Sequence, residues 1–142
     1  MRRRSPVEAV LKGVVGALRS STGLTGLLGS STGVYNNPQQ GAAFPHVIVT
    51  SPTDSRVDTM SRFGSELQVQ VRAVSNAHGD QQAAQVLDRA IDALNFATIS
   101  TTAPHASLGV SWDQSERYSE VVNGVVVRHH VGLFRVWAEQ TS

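Results

Sequence analysis

Five histidines, at positions 46, 78, 105, 129 and 130, are the side chains best able to bind a metal or move a proton near neutral pH. Their spacing argues against a shared site. His129 and His130 are consecutive, and neighbouring side chains on a strand point to opposite faces, so the two rings cannot chelate one ion there. His46, His78 and His105 stand in separate polar connections without a paired spacing. Serines are abundant, but none sits in a nucleophile elbow and no local Ser-His-Asp pattern stands out. The glycines of GLTGLLGSSTGV do not spell GxxxxGK[ST], because no lysine follows; the only lysine, Lys12, lies inside a helical pattern. Asp113, Glu116 and Glu120 lie near a strand or turn and read as a solvated edge. With no cysteine there is no disulfide, thiolate site or Cys nucleophile. These residues point to a chain that is not an enzyme and needs neither cofactor nor metal.

Charge adds little. The chain carries 12 basic and 11 acidic side chains, a net +1, so global electrostatics do not call for nucleic acid. The one cluster is Arg2, Arg3 and Arg4, which reads first as a frayed, solvated terminus and second as an arm able to touch phosphates or a partner. Charged residues make up only 16% of the 142, a low share that suits a surface destined to be covered by other subunits.

The elements that must position these groups follow from periodicity. Val7, Val10, Leu11, Val14, Val15 and Leu18 fall on one helical face, with Ser5 as cap, Pro6 at the first position, Glu8 two residues on and Gly23 as the stop. Glu8, Lys12 and Arg19 interrupt the apolar run, so it is a core helix, neither a targeting peptide nor a membrane span. Residues 20–33 are glycine-rich and predict a loop with one helical turn. Val34-Tyr35 begins a strand, a proline-marked loop follows, and Val47–Thr50 forms a strand ending before Pro52. Residues 51–64 read as a long exposed loop.

ELQVQVRAV, residues 66–74, alternates cleanly and is the plainest strand. Residues 80–95 predict a second core helix capped by Asp80, with Asp88, Arg89 and Asp92 facing water. Leu108, Val110 and Trp112 start a strand, and Asn123-Gly124 marks a type I′ hairpin into VVVRHHVGLFRVWAE. The expected fold is α+β, a mainly antiparallel sheet with two helices on one face, as a single domain over residues 1–142.

The last strand is apolar on both sides. His130, Gly132, Phe134, Val136 and Ala138 share one face, which leaves Val127, Val131, Leu133 and Trp137 needing cover on the other. Such a patch usually marks a protein–protein site; the other reading is that the N-terminal segment or a long loop covers it within the chain. Val131, Leu133, Arg135 and Trp137, with Arg56 and Arg62 from the long loop, are therefore the candidate subunit contacts.

The order of elements carries a resemblance: an amphipathic helix, Val34-Tyr35, a proline-bearing loop, FPHVIV at 44–49, the ELQVQVRAV strand, the DQQAAQVLDRAIDAL helix and the RHHVGLFRVWAE strand. Over nearly the whole chain this resembles the small tail terminator, or tail completion, proteins of long-tailed bacteriophages and gene transfer agents. The resemblance implies a homo-oligomeric ring, usually hexameric, that caps the tail tube and joins it to the head-side connector. It implies the major tail tube protein and a connector or stopper protein as partners, and double-stranded DNA passing through the lumen without sequence-specific binding. It places the protein in the virion at the head–tail junction, and in the host cytoplasm during assembly, with no membrane and no catalytic residues. A head-completion or neck protein shares this size and ring logic. A soluble ligand-binding or enzymatic α+β domain is the alternative from another class, and a mass measurement separates ring from monomer.

Overall fold

The computed structural model of the chain describes residues 5–29, 33–37, 43–58, 63–97, 99, 101 and 105–140. Within them run α1 (Val7–Arg19), α2 (Thr22–Leu28), β1 (Val34–Tyr35), β2 (His46–Arg56), β3 (Phe63–Ser75), α3 (Gln81–Leu94), β4 (His105–Val122) and β5 (Val125–Gln140). One five-stranded sheet has the order β1-β2-β3-β5-β4. Every neighbouring pair is antiparallel except the short β1, which runs parallel to β2. The fold is α+β, as the periodicity requires.

α1 forms where its apolar stripe is spaced for a helix, opening with Val10 N donating to the Pro6 carbonyl at 2.9 Å. Gly23 is not its stop. The chain turns at Ser20 and re-enters a helix at once, with Ser21 Oγ accepting from Leu24 N at 3.3 Å. Two full turns then run to Gly29, whose φ of 74° ends α2 in the left-handed conformation that glycine tolerates. Glycine propensity argued against this helix, but complete burial of Leu24 offsets it by roughly 1.5–3 kcal/mol.

The long loop expected at 51–64 is mostly strand. β2 continues to Arg56, β3 starts at Phe63, and Val57 N donates to the Gly64 carbonyl at 3.0 Å. Pro52 does not end β2 because it falls where the register shifts between Thr50 and Thr53, so its missing N–H costs no ladder bond. Beyond Thr50 this hairpin arm carries polar residues on both faces, which hid it from hydrophobic pattern; residues 59–62 lie outside the described set.

All three helices share one side of the sheet. Val10, Val14 and Leu18 of α1, Leu24 of α2, and Val86, Leu87, Ala90 and Leu94 of α3 meet Val47, Val49, Leu67, Val69, Val71, Phe134 and Val136 in one core. Gly132 lets α3 approach closely: a Cβ there would stand 3.0 Å from both Leu87 Cδ1 and Phe134 Cε1. The β4–β5 turn is the expected hairpin, with Asn123 and Gly124 at φ of 52° and 80°.

Candidate functional site

The face of the sheet away from the helices is built around β5. Cross-strand register sets Val131 between Arg72 of β3 and Glu116 of β4, and Leu133 between Gln70 and Gln114. These long polar neighbours account for the cover the two residues receive: each is only 5% exposed within the single chain. Arg135 is exposed and reaches toward Glu66 at 3.7 Å and Asp113 at 3.6 Å, while Trp137 is half-buried. Arg56 is exposed and paired with Asp58 near the end of the β2–β3 arm. Arg62, Arg2, Arg3 and Arg4 lie outside the described residues.

The consecutive histidines part as a strand demands. On the outer face, His129 Nε2 lies 2.7 Å from Glu120 Oε1, and its ring stacks on Tyr118 with centroids 4.5 Å apart. On the inner side, His130 Nε2 lies 3.3 Å from Asp80 Oδ1, which Arg128 also approaches at 3.4 Å. Asp80 stands at the N-cap of α3, yet its side chain makes no cap hydrogen bond. It ties the start of α3 to β5 instead. The His130 hydrogen bond, followed by the charges of Arg128, His130 and Arg117, holds its carboxyl below the usual range against a smaller opposing effect of burial. No sequence pattern could join Asp80 to His130, fifty positions apart, because the link exists only through β3–β5 pairing.

His46 opens β2 with Nδ1 3.2 Å from the Ala43 carbonyl, between the rings of Tyr35 and Phe44. Burial pushes its pKa below the ordinary value, the Ala43 carbonyl pulls the other way, and His129 lowers it further. Among the described residues, no three His, Asp or Glu side chains gather as metal ligands.

The sheet ends differently on its two sides. At one edge, Phe96 N donates to the Val110 carbonyl at 2.9 Å and Trp112 N donates to Asn95 Oδ1 at 3.0 Å. The exit of α3 thus occupies the outward backbone groups of β4 over Val110–Trp112. Phe96 stands here at φ of 60°, a conformation bulky residues seldom adopt, and the residue is 85% exposed. Beyond Trp112, β4 is exposed to its end, with no further strand beside it among the described residues. At the other edge, β1 pairs only with Val47 and Ile48, so β2 beyond Ile48 is bordered only by β3 among those residues. No described helix is long and apolar enough to cross a membrane.

A chain from the virion of a native gene transfer agent (GTA) particle has the same fold, with a TM-score of 0.77 at 19% identity, covering 96% of this chain and 99% of that one. Curated protein sequences contain no match. The family profile described as tail completion protein gp17 matches residues 12–137. That match spans nearly every element, from the middle of α1 to the end of the β5 core, and so the chain belongs to the tail completion protein family, structural proteins of the bacteriophage virion tail.

Proposed function

We propose that this chain is a tail terminator: copies close into a ring that caps the tail tube and joins it to the head-side connector. The ring reading rests on one observation beside family membership, the pair of unlike edges at opposite ends of a single sheet. β4 and β2 run in opposite directions, so copies related by rotation about an axis near the strand direction would meet edge to edge as antiparallel strands. Such a contact is heterologous, the kind that generates a ring when the rotation closes.

In this reading the surface of β5 supplies lateral contacts through Arg135 and Trp137, with Val131 and Leu133 packed beneath them. The β2–β3 arm brings Arg56 to a neighbouring subunit or to the major tail tube protein, and Arg62 is assigned the same partner from its sequence position alone. Arg2, Arg3 and Arg4 supply phosphate or partner contacts, and double-stranded DNA crosses the lumen without base-specific recognition. The kinship in fold with a chain of a gene transfer agent virion supports a place in a multi-protein tail assembly.

Electron microscopy of the purified chain, alone and mixed with tail tubes, tests this. Rings of a hexameric order seated on tube ends are expected. A chain that stays monomeric by light scattering and leaves tube ends bare would overturn the reading, and attachment to head vertices instead would make it a neck protein.

A further inference from the structure

We propose that the β4–β5 hairpin tip of one chain seats in the groove between α1 and β1 of the next copy. The inference rests on the ring reading and gives it a specific joint.

The tip is an apolar knob. Val121 faces Val126 and Val122 faces Val125 across the turn, and all four are exposed, Val121 to 71%. Nothing in an Asn-Gly turn requires valines beside it. The last β3–β5 pair is Ser75 with Arg128, so Val125 stands three residues, roughly 10 Å, past the end of β3. Val122 borders a shallow pocket with Ile48, Val74 and Val127 of its own outer face, while Val121, Val125 and Val126 stay open among the described residues.

The groove is the matching socket. Val7, Leu11 and Val15 form a half-buried stripe along α1, and with Gly16 and Tyr35 they line an open groove of about 950 Å³. Glu8 and Lys12 line the groove, and Arg117 on the exposed hairpin stem carries a charge that can meet Glu8 across the joint.

Position selects a second copy as the occupant. The knob lies at the β4 edge and the groove at the β1 edge, the two ends of the sheet. Both lie at the same end of the strands: Val34 pairs with Val47, His46 with Val74, and Ser75 with Arg128. Within one chain the knob and the groove belong to opposite ends of the strand order, whereas a copy placed edge to edge presents its groove beside the knob. Each chain offers one knob and one socket, and a closed ring fills every socket.

The chain has no cysteine, so a pair of introduced thiols reports this joint directly. Gly16→Cys is tolerated by α1, since a Cβ there meets nothing within 4 Å, and Val121→Cys alters an exposed side chain. Mixing the two single variants with a flexible bismaleimide should give a mixed cross-linked dimer at least tenfold above that from Gly16→Cys mixed with Asp92→Cys, a control on the water-facing side of α3. A second pair keeps the test independent of cross-linker geometry. Val121→Lys and Gly16→Lys should each reduce assemblies to the 15.2 kDa single chain with an unchanged thermal melt, and their mixture should stop at a dimer with one intact joint, because the other sets lysine against lysine. Rings formed by Val121→Lys, or cross-linking no better than the control, would overturn the joint and leave the ring reading standing. A wild-type chain that forms no ring and binds no tube would remove the ring reading first.

Discussion

Gly132 offers the sharpest test of how α3 is seated. Its absent side chain is the space into which Leu87 Cδ1 and Phe134 Cε1 project, each 3.0 Å from where a Cβ would stand. Two effects compete in Gly132→Ala. Reduced freedom of the unfolded chain favours the variant by about 0.4–1 kcal/mol, while overpacking a filled core costs about 1–3 kcal/mol. Both opposing atoms belong to side chains that are themselves buried, Leu87 at 4% and Phe134 at 0% exposure, so neither can swing away and the steric cost prevails. The expected net loss is about 1–2 kcal/mol for Gly132→Ala, and more for Gly132→Val, whose methyl groups reach further toward α3. At roughly 2–4 °C per kcal/mol for a chain of this size, the alanine variant should melt several degrees below the parent. Urea titration should move the midpoint without changing the slope, since the surface exposed on unfolding is unaltered. Leu87→Ala, costly in the parent, should cost less in the Gly132→Val background by about 0.5–3 kcal/mol, because it removes the opposing atom. Equal midpoints for the parent and Gly132→Ala, or strict additivity with Leu87→Ala, would show that the helix does not rest on this glycine.

Other perturbations separate the remaining features. His46 has a folded pKa below its unfolded one, so the unfolded chain takes up its proton first; this contribution is complete above the ordinary histidine pKa, near ~6.5, and is lost as pH falls through it toward the folded value. Asp80 also titrates low, so its contribution is present above the usual carboxylate pKa of about 3.9 and is lost as pH falls toward the folded value; Asp80→Asn should flatten that acid limb in urea midpoints measured across pH. Gly124→Val, at φ of 80°, should cost about 1–2 kcal/mol by thermal melt through left-handed backbone strain. Leu133→Ser should lower stability by about 2–3 kcal/mol, since it empties a covered site. Trp137→Ser, at a half-buried site, should cost less stability and act mainly on assembly in light scattering; the reverse ranking would make Trp137 the packing residue.

What periodicity shows well is a helix or strand with one wet face and one dry face. α1, α3 and the 66–74 segment of β3 alternate between the core and water, and each could be read directly. The β2–β3 arm beyond Thr50 could not, because Thr53, Asp54, Ser55 and Arg56 are all exposed and only backbone pairing makes them a strand. α2 escaped for the opposite reason, since a single fully buried leucine outweighs the glycines around it. The two-sided apolar character of β5 was legible, but its meaning depended on neighbours. Arg72, Gln70, Glu116 and Gln114 come from strands distant in sequence, and only register reveals that they flank Val131 and Leu133. Open apolar surface lies elsewhere, at Phe96 and at the valines beside the hairpin turn among other positions.

The edges of the sheet explain why such a chain can assemble without polymerising at random. An exposed edge strand invites pairing with any other edge, and a repeated heterologous contact whose rotation does not close makes a filament. Both edges here are restricted. β2 carries Pro52 and a register shift between Thr50 and Thr53, which break its outer row of backbone groups. β4 is blocked over Val110–Trp112 by Asn95 and Phe96, and its open remainder from Asp113 to Glu120 is studded with Asp113, Glu116, Arg117 and Glu120. Such edges form a poor template for a free strand but can still accept a neighbour whose charges match. Specificity then falls to contacts that fix the angle between copies, and a knob projecting roughly 10 Å beyond the sheet is well placed to do that, because its leverage turns a small change of seating into a large change of rotation. Shortening the hairpin by two cross-strand pairs, deleting Val121, Val122, Val125 and Val126 while keeping Asn123-Gly124, preserves the hydrogen-bonding phase of the turn and should leave the core untouched and release that angle. Open or irregular assemblies in electron micrographs are the expected outcome; rings of unchanged diameter would show that the edges alone set the rotation.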